Sequence, residues 1–296
     1  MALREGGREG VRISGNSMKS PAKLNLRLKV TGIRSDGYHN LVSIMVPIDL
    51  FDFLDFSFTH SGKDRIACTG YAVPSDEKNL IMKAINAFRK TAGAATGVSV
   101  GLQKNIPVSA GLGGGSSNAA AALLWMNDAF GKPLSSERLH DLAARLGADV
   151  PFFLDCRPAI ARGIGEVLEP IDPWPQHWYV IVAPALHVST AWVYGNYRLN
   201  ELTRDEYHYI KDQLGNDSLA IAHILENDLE TVTSASFPII ETIKFHLKEA
   251  GAAGVLMSGS GPSVFGVFKD SQSAGRAKKQ LASLNIGDVF AVTDRV

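Results

Sequence analysis

The stretch Ser109–Leu124 reads SAGLGGGSSNAAAALL, and no other part of the chain limits the fold so strongly. Glycine is costly to order and alanine is the best helix former. A dense glycine run opening onto alanines is therefore a tight loop that feeds a helix. A helix start leaves N–H groups without partners and carries partial positive charge. Gly111, Gly113, Gly114 and Gly115, leading into Ser116 and Ser117, make an anion cradle on these grounds, with small side chains at 119–122 letting the helix pack closely behind. A flexible linker ahead of a core helix is the competing reading. The spacing is not G-x-x-x-x-G-K-[ST]. It is not G-x-G-x-x-G either: Gly111 and Gly113 lead to Ser116, and Gly113 and Gly115 lead to Asn118. A dinucleotide-dependent oxidoreductase is not indicated.

Around the loop, strand and helix signals mix without strict alternation, which suits an α+β chain of two domains. Leu24, Leu26, Leu28 and Val30 alternate with Lys23, Asn25, Arg27 and Lys29, predicting a strand over Ser20–Val30 with one buried face. Arg34-Ser35-Asp36-Gly37 reads as a turn, and 41–58 as one or two strands in which Phe51, Phe53, Phe56 and Phe58 pack. Helices are expected over 79–91, 117–130, from Ser135 or Ser136 to Gly147, through much of 190–235, over 238–250 and over 274–284. Strands are expected near 66–69, 98–102, 178–183, 255–257, 263–268 and 289–292. Three prolines in Glu169–His177 mark a boundary, dividing the chain into 18–170 and 171–296. Residues 1–17 read as a mobile extension, with Met18 as an alternative start.

Composition excludes more than it specifies. Thirty basic residues balance thirty acidic ones, so net charge points to neither nucleic acid nor membrane. The two cysteines, Cys68 and Cys156, form neither a metal spacing nor a disulfide framework, which makes a reducing cytoplasm the default. No apolar run reaches the roughly 18 residues of a spanning helix. The first twenty residues lack the apolar core of a secretory signal. The histidines outside the turn at 34–39 show no metal-ligand pattern.

Three segments carry a family resemblance. PVSAGLGGGSSNAAAAL resembles the phosphate-binding motif of the GHMP kinases. VLMSGSGPSVFGVF resembles their third motif, and SPAKLNLRLKVTGIRSDGYHNL resembles the branch whose substrate is 4-diphosphocytidyl-2-C-methyl-D-erythritol. Their order and spacing match from Ser20 to the end. The resemblance implies a two-domain GHMP kinase fold, with an N-terminal domain like ribosomal protein S5 domain 2 and a ferredoxin-like C-terminal α/β sandwich. It implies a bacterial-type cytoplasmic enzyme, a monomer or weak homodimer, that uses ATP and Mg²⁺ to phosphorylate the 2-hydroxyl of that substrate.

By the same resemblance, Lys23 and Asp149 are the catalytic pair, with Asp149 accepting the hydroxyl proton and Lys23 keeping it ionised. Taken singly, Asp149 is a capping or turn residue and Lys23 a solvated strand lysine. Gly111, Gly113–Ser117 and Asn118 fall to ATP, with Asn79, Leu80 and Lys104 near adenine, although Lys104 alone reads equally as exposed. Ser117 is the one candidate for the magnesium. Tyr38 and Tyr194 would sandwich the cytosine and His39 would contact its polar edge, by its ring or its main chain, with Trp192 a competitor for the role of Tyr194. Taken singly, Tyr38 is a packed aromatic and His39 a polar turn residue. Asn25 and Thr190 would contact the polar chain of the substrate, and Gly259 and Gly261 would bring backbone to the phosphates or substrate. An ordinary hairpin turn is the alternative for Gly259-Ser260-Gly261. Another GHMP kinase, acting on homoserine or mevalonate, and a non-catalytic nucleotide sensor are the competing functions. The DGYH turn argues against the first, since a substrate without a base needs no stacking tyrosine, and the presence of both Lys23 and Asp149 argues against the second.

Overall fold

The computed structural model describes residues 12–199, 219–294 and 296. The chain forms two compact units that interleave in sequence. One takes residues up to Ala22, Leu50–Val108 and Gly113–Arg157; the other takes Lys23–Asp49, Ser109–Leu112 and Pro158–Val296. The chain therefore crosses from unit to unit several times, twice within strands, and not once near the proline-rich segment.

In the first unit, strand β1 (Arg12–Ser14) pairs antiparallel with the start of β2 (Ser17–Ile33), Arg12 opposite Met18. Residues 12–17 are thus ordered by a hairpin, which corrects their reading as a mobile extension. The second half of β3 (His39–Thr59) pairs antiparallel with β5 (Gly97–Lys104), and β4 (Arg65–Gly70) lies parallel to β5. Residues 41–58 belong to one continuous strand. The helices of this unit are α1 (Leu80–Ala92), α2 (Gly114–Ala129), α3 (Ser136–Leu146) and α4 (Val150–Asp155). Trp125 of α2 stacks on Phe56 at 4.8 Å between centroids and meets Phe58 at 5.2 Å. Phe56 and Phe58, two residues apart, share a strand face, so this contact seats α2 on the sheet. Phe53 and Phe58 both keep an exposed side, and the Phe53 ring lies 6.4 Å from that of Phe51.

In the second unit, β3 pairs with β6 (Ala159–Arg162), β6 with β7 (Val167–Pro170), and β2 with the short β9 (Glu226–Asn227). A separate sheet holds β10 (Gly254–Met257), β11 (Val264–Phe268), β8 (Trp178–Ala183) and β12 (Asp288–Thr293), in that spatial order and antiparallel throughout. Helices α5 (Thr190–Asn196), α6 (Glu230–Ser236) and α7 (Ile239–Glu249) follow β8, and α8 (Ser271–Ala282) follows β11. Counted in chain order, the sheet runs 4-1-3-2 with helices after its first and third strands, the split-βαβ arrangement of ferredoxin-like domains. Val180, Val182, Ile243, Leu247, Phe268 and Leu281 form its core. The α+β, two-domain expectation holds. In the largely helical stretch expected over 190–235, the described residues form α5, a 3₁₀ turn at Ala220–His223 and α6, and residues 200–218 lie outside those described.

One expectation for β2 fails. Its leucines are buried as the alternation predicts, but so are Lys23, Asn25 and Arg27. Both faces of the strand are covered, and the lysine is not solvated.

Candidate active site

In the first unit, α2 begins at Gly114, three residues earlier than its composition suggests, with Gly113 left-handed at φ 70° in the N-cap position. No side chain caps this end. The first N–H groups of a 16-residue helix thus remain available to an anion. The glycines differ in purpose. A Cβ on Gly114 would lie 2.6 Å from Lys104 Nζ, so that glycine makes room for the protein itself. Gly115 is exposed.

Behind the helix start lies a buried polar chain. Ser20 Oγ donates to Ser117 Oγ at 2.6 Å, and Asn118 Nδ2 donates to Ser20 Oγ at 3.0 Å and to Asp52 Oδ2 at 2.8 Å. Asp52 also accepts from Lys104 Nζ and from the N–H groups of Asn105 and Ile106. Lys104 is only 3% exposed, which removes the alternative of a solvent lysine. Burial lowers its pKa against the opposing charge and hydrogen bond of Asp52. Asn79, expected near adenine, is the N-cap of α1: its Oδ1 accepts from Ile81 N and its Nδ2 donates to Pro74 O. Leu80 follows as the first residue of α1, its Cδ1 3.5 Å from where a Gly115 Cβ would sit. Asp149 occupies the N-cap position of α4 but makes no side-chain capping bond, so capping does not account for it.

In the second unit, strand β2, the start of the glycine loop and the β10–β11 turn meet. Lys23 Nζ donates to Asn25 Oδ1, and Asn25 Nδ2 donates to Ser43 Oγ at 2.8 Å. Lys23 N donates to Leu112 O at 3.0 Å. Ser258 Oγ donates to Gly111 O at 3.0 Å and accepts from Asn25 N at 3.2 Å. Gly111 has φ 76°, and a Cβ there would stand 2.1 Å from Ser258 O. Only glycine fits. Gly259, at φ 57°, lies against the same group: its Cβ would be 3.1 Å from Asn25 Oδ1 and 3.5 Å from Lys23 Nζ. The turn 259–261 is thus a hairpin turn that also packs on Lys23 and Asn25. Gly261 faces inward, its Cβ position 2.4 Å from Met257 Sδ. Asn227 braces the turn by donating to Met257 O and Gly259 O.

The aromatic residues assigned to a base also belong to this unit. The Arg34–Tyr38 turn forms as expected, Gly37 at φ 85°. Tyr38 beyond it is 60% exposed, so it is not a packed aromatic. The His39 ring lies 5.2 Å from the Tyr194 ring at 40°. Trp192 instead packs edge-on against Phe237, 6.1 Å away. Thr190, at the start of α5, shares a 2.9 Å hydrogen bond with Ser260.

Ser20, Asp52, Asn227 and Ser258 escaped the sequence reading. Ser20 and Ser258 lay inside quoted motifs without being singled out; Asp52 and Asn227 sit in strands with no local signal. Among the described residues, no cluster of three or more His, Cys, Asp or Glu could hold a metal, and no helix is long and apolar enough to cross a membrane.

Comparison with known proteins adds an independent line. The GHMP kinases N terminal domain matches residues 79–156 and the GHMP kinases C terminal domain matches 211–286. The 4-diphosphocytidyl-2-C-methyl-D-erythritol kinase of Syntrophotalea carbinolica is 45% identical over 276 residues, covering 93% of this chain and 98% of the relative. The enzyme of that name from Geobacter metallireducens is 45% identical over 281 residues, covering 94% and 98%. A crystal structure of 4-(cytidine 5'-diphospho)-2C-methyl-D-erythritol kinase superposes with TM-score 0.78 at 35% identity, over 94% of this chain and 98% of the other. Mevalonate kinase from L. major shares the fold at TM-score 0.70 with 14% identity.

Proposed function

The chain belongs to the GHMP kinases, and within them to the 4-diphosphocytidyl-2-C-methyl-D-erythritol kinases, and from that premise we propose how its residues divide the work. The enzyme uses ATP to phosphorylate the 2-hydroxyl of this cytidylyl-linked alcohol, a step of the methylerythritol phosphate route to isoprenoid precursors.

Phosphoryl transfer to an alcohol needs alignment, somewhere for the proton to go, and neutralisation of charge. Asp149 accepts the proton of the 2-hydroxyl. The Lys23 ammonium, held by Asn25, keeps that carboxylate ionised and orients the hydroxyl. Gly113 to Ser117, at the start of α2, hold the nucleotide phosphates through the N–H groups that precede that of Ser117, which is bonded to Gly113 O at 2.9 Å, with Gly111 shaping the approach. Asn79, Leu80, Lys104 and Asn118 line the adenosine side, the last two through the Asp52 network. Magnesium bound with the nucleotide would supply charge neutralisation, carried by the phosphates, and the Ser117 hydroxyl would be its side-chain contact. Tyr38 and Tyr194 sandwich the cytosine, an interaction worth about 1–3 kcal/mol per stacked base, while His39 reads its edge. Asn25, Thr190 and the Gly259–Gly261 turn hold the rest of the substrate. Two unpaired cysteines support a cytoplasmic enzyme.

What carries this reading is the joining of the motif segments at Ser258, whose hydroxyl ties the glycine loop to the strand bearing Lys23. A coupled ADP-release assay tests it. Turnover is expected with 4-diphosphocytidyl-2-C-methyl-D-erythritol and not with homoserine, mevalonate or galactose. Asp149→Asn and Lys23→Ala are expected to lose turnover while still unfolding in one cooperative urea transition. Near-normal turnover in either variant removes it from the chemistry.

A further inference from the structure

We infer that Asn227 is a positioning residue for phosphoryl transfer: it grips the carbonyls on either side of Ser258 and so fixes the Gly259 backbone against the Lys23 ammonium. The inference rests on the placement of Lys23 in the chemistry made above.

Asn227 ends β9, which runs parallel to β2 with Leu28 opposite it. It is 6% exposed. Its Nδ2 donates to Met257 O at 2.8 Å and to Gly259 O at 2.7 Å, and its Oδ1 accepts from Leu229 N at 3.0 Å. Two carbonyls demand the NH₂ group and one N–H demands the oxygen, so the amide has a single orientation and both its protons are engaged. Leu229 packs with Leu28, Val30 and Val193, and Asp228 N donates to Leu28 O at 3.0 Å. Asn227 is therefore fastened to the strand that bears Lys23 and Asn25.

What the amide holds is the backbone beside the ammonium. Between the two gripped carbonyls, Ser258 O accepts from Gly261 N at 3.0 Å, so each carbonyl from Met257 to Gly259 has its donor. The Ser258 hydroxyl, held in between, joins Gly111 O to Asn25 N. A Cβ on Gly259 would stand 3.5 Å from Lys23 Nζ and 3.1 Å from Asn25 Oδ1, which itself accepts from Lys23. Gly259 has a left-handed φ of 57° and no Cβ, so its peptide turns over at little steric cost. Its carbonyl, once released, is an acceptor without a partner close to an ammonium, and it would draw that ammonium from Asn25. By holding Gly259 O toward β9, Asn227 keeps Lys23 on Asn25. A displacement of about 1 Å at the reacting groups can cost about a hundredfold in rate, so the loss of Asn227 falls on turnover.

Asn227→Asp sets an oxygen against two carbonyls, and Asn227→Ala removes the donors outright, so one variant remains informative where the other does not fold. Turnover is measured per folded molecule, with the folded fraction taken from circular dichroism. In either variant kcat is expected to fall about tenfold or more, the worth of one buried hydrogen bond, with KM for ATP unchanged. Glu230→Ala is the control for a merely structural brace: Glu230 accepts from Met257 N at 2.7 Å and pairs with Lys244, holding the same strand without touching the two carbonyls. It should lower the urea midpoint and leave kcat as in the wild type. A wild-type kcat in a folded Asn227 variant overturns the inference, as does an equal fall of kcat in Glu230→Ala, which makes Asn227 one brace among several. Lys23→Ala separates the two levels. If it keeps near-normal turnover, the reading of Lys23 fails and the inference with it. If it loses turnover while the Asn227 variants keep theirs, Lys23 stands and the role of Asn227 fails.

Discussion

Asp52 is the residue whose loss the structure prices most directly. Its carboxylate is fully buried. One oxygen accepts the N–H groups of Asn105 and Ile106 at 2.8 and 2.9 Å; the other accepts Asn118 Nδ2 at 2.8 Å and Lys104 Nζ. Asp52→Asn preserves the first oxygen and replaces the second with an NH₂ group facing two donors. It also leaves the Lys104 ammonium buried without its counter-charge. Removing one partner of a buried ion pair costs about 3–5 kcal/mol. That loss should appear as a lower urea midpoint at constant m. The pair itself need not be net stabilising, because two desolvated charges offset most of their attraction. Adding Lys104→Met to Asp52→Asn should therefore return about 1–3 kcal/mol. The pH dependence separates the two variants. Burial lowers the folded-state pKa of Lys104 from 10.5 in the wild type, and losing Asp52 lowers it further. Between that folded value and 10.5 the unfolded chain binds more protons, so Asp52→Asn should gain stability as pH rises through this window. The double variant should not. Since the network continues through Asn118 and Ser20 to Ser117, Asp52→Asn should also raise KM for ATP. A double variant no more stable than Asp52→Asn alone, and with the same alkaline gain, would refute the reasoning.

Two further outcomes follow from other parts of the first unit. Burial raises the pKa of Asp64, but the Arg89 hydrogen bond, the Val98 N–H and the guanidinium charge outweigh it, so the net shift is downward from 3.8. A depressed carboxylate contributes stability above its unfolded pKa and loses it as pH falls through the folded value. Asp64→Asn should flatten the acid limb of unfolding below about pH 4; an unaltered limb argues against the Arg89 pairing. Cys68 is exposed and Cys156 is buried, its thiol pushed up to about 12 chiefly by burial. Thiol titration near neutral pH should count one cysteine in the native enzyme and two in denaturant, and two in the native state contradicts the packing around α4.

Much of the local architecture was legible. Ser135 caps α3 as its position ahead of an apolar-periodic stretch predicts, and Gly37 takes the positive φ its turn needs. The alternating leucines of β2 are buried. Tyr194 and His39 were named without any sign in the sequence that their rings lie 5.2 Å apart. The lengths of β2 and β3, 17 and 21 residues, were underestimated, since polar residues inside a strand read as its end. Asn79, assigned to a ligand by resemblance, is also a helix cap, a role that its place before Leu80-Ile81 already allowed.

Chain order alone determined where the backbone bends, which face of each element is greasy and where a helix can receive an anion. These follow from sterics, hydrogen bonds and periodicity acting over a few residues. Tertiary structure decided which polar groups are taken out of water and what meets them there. Asp52 finds Lys104 and Asn118 across 52 and 66 positions, and Asn25 finds Ser258 across 233. Desolvation depends on whatever neighbours the fold delivers, so the buried lysines of this enzyme look, in the sequence, like any others on a surface.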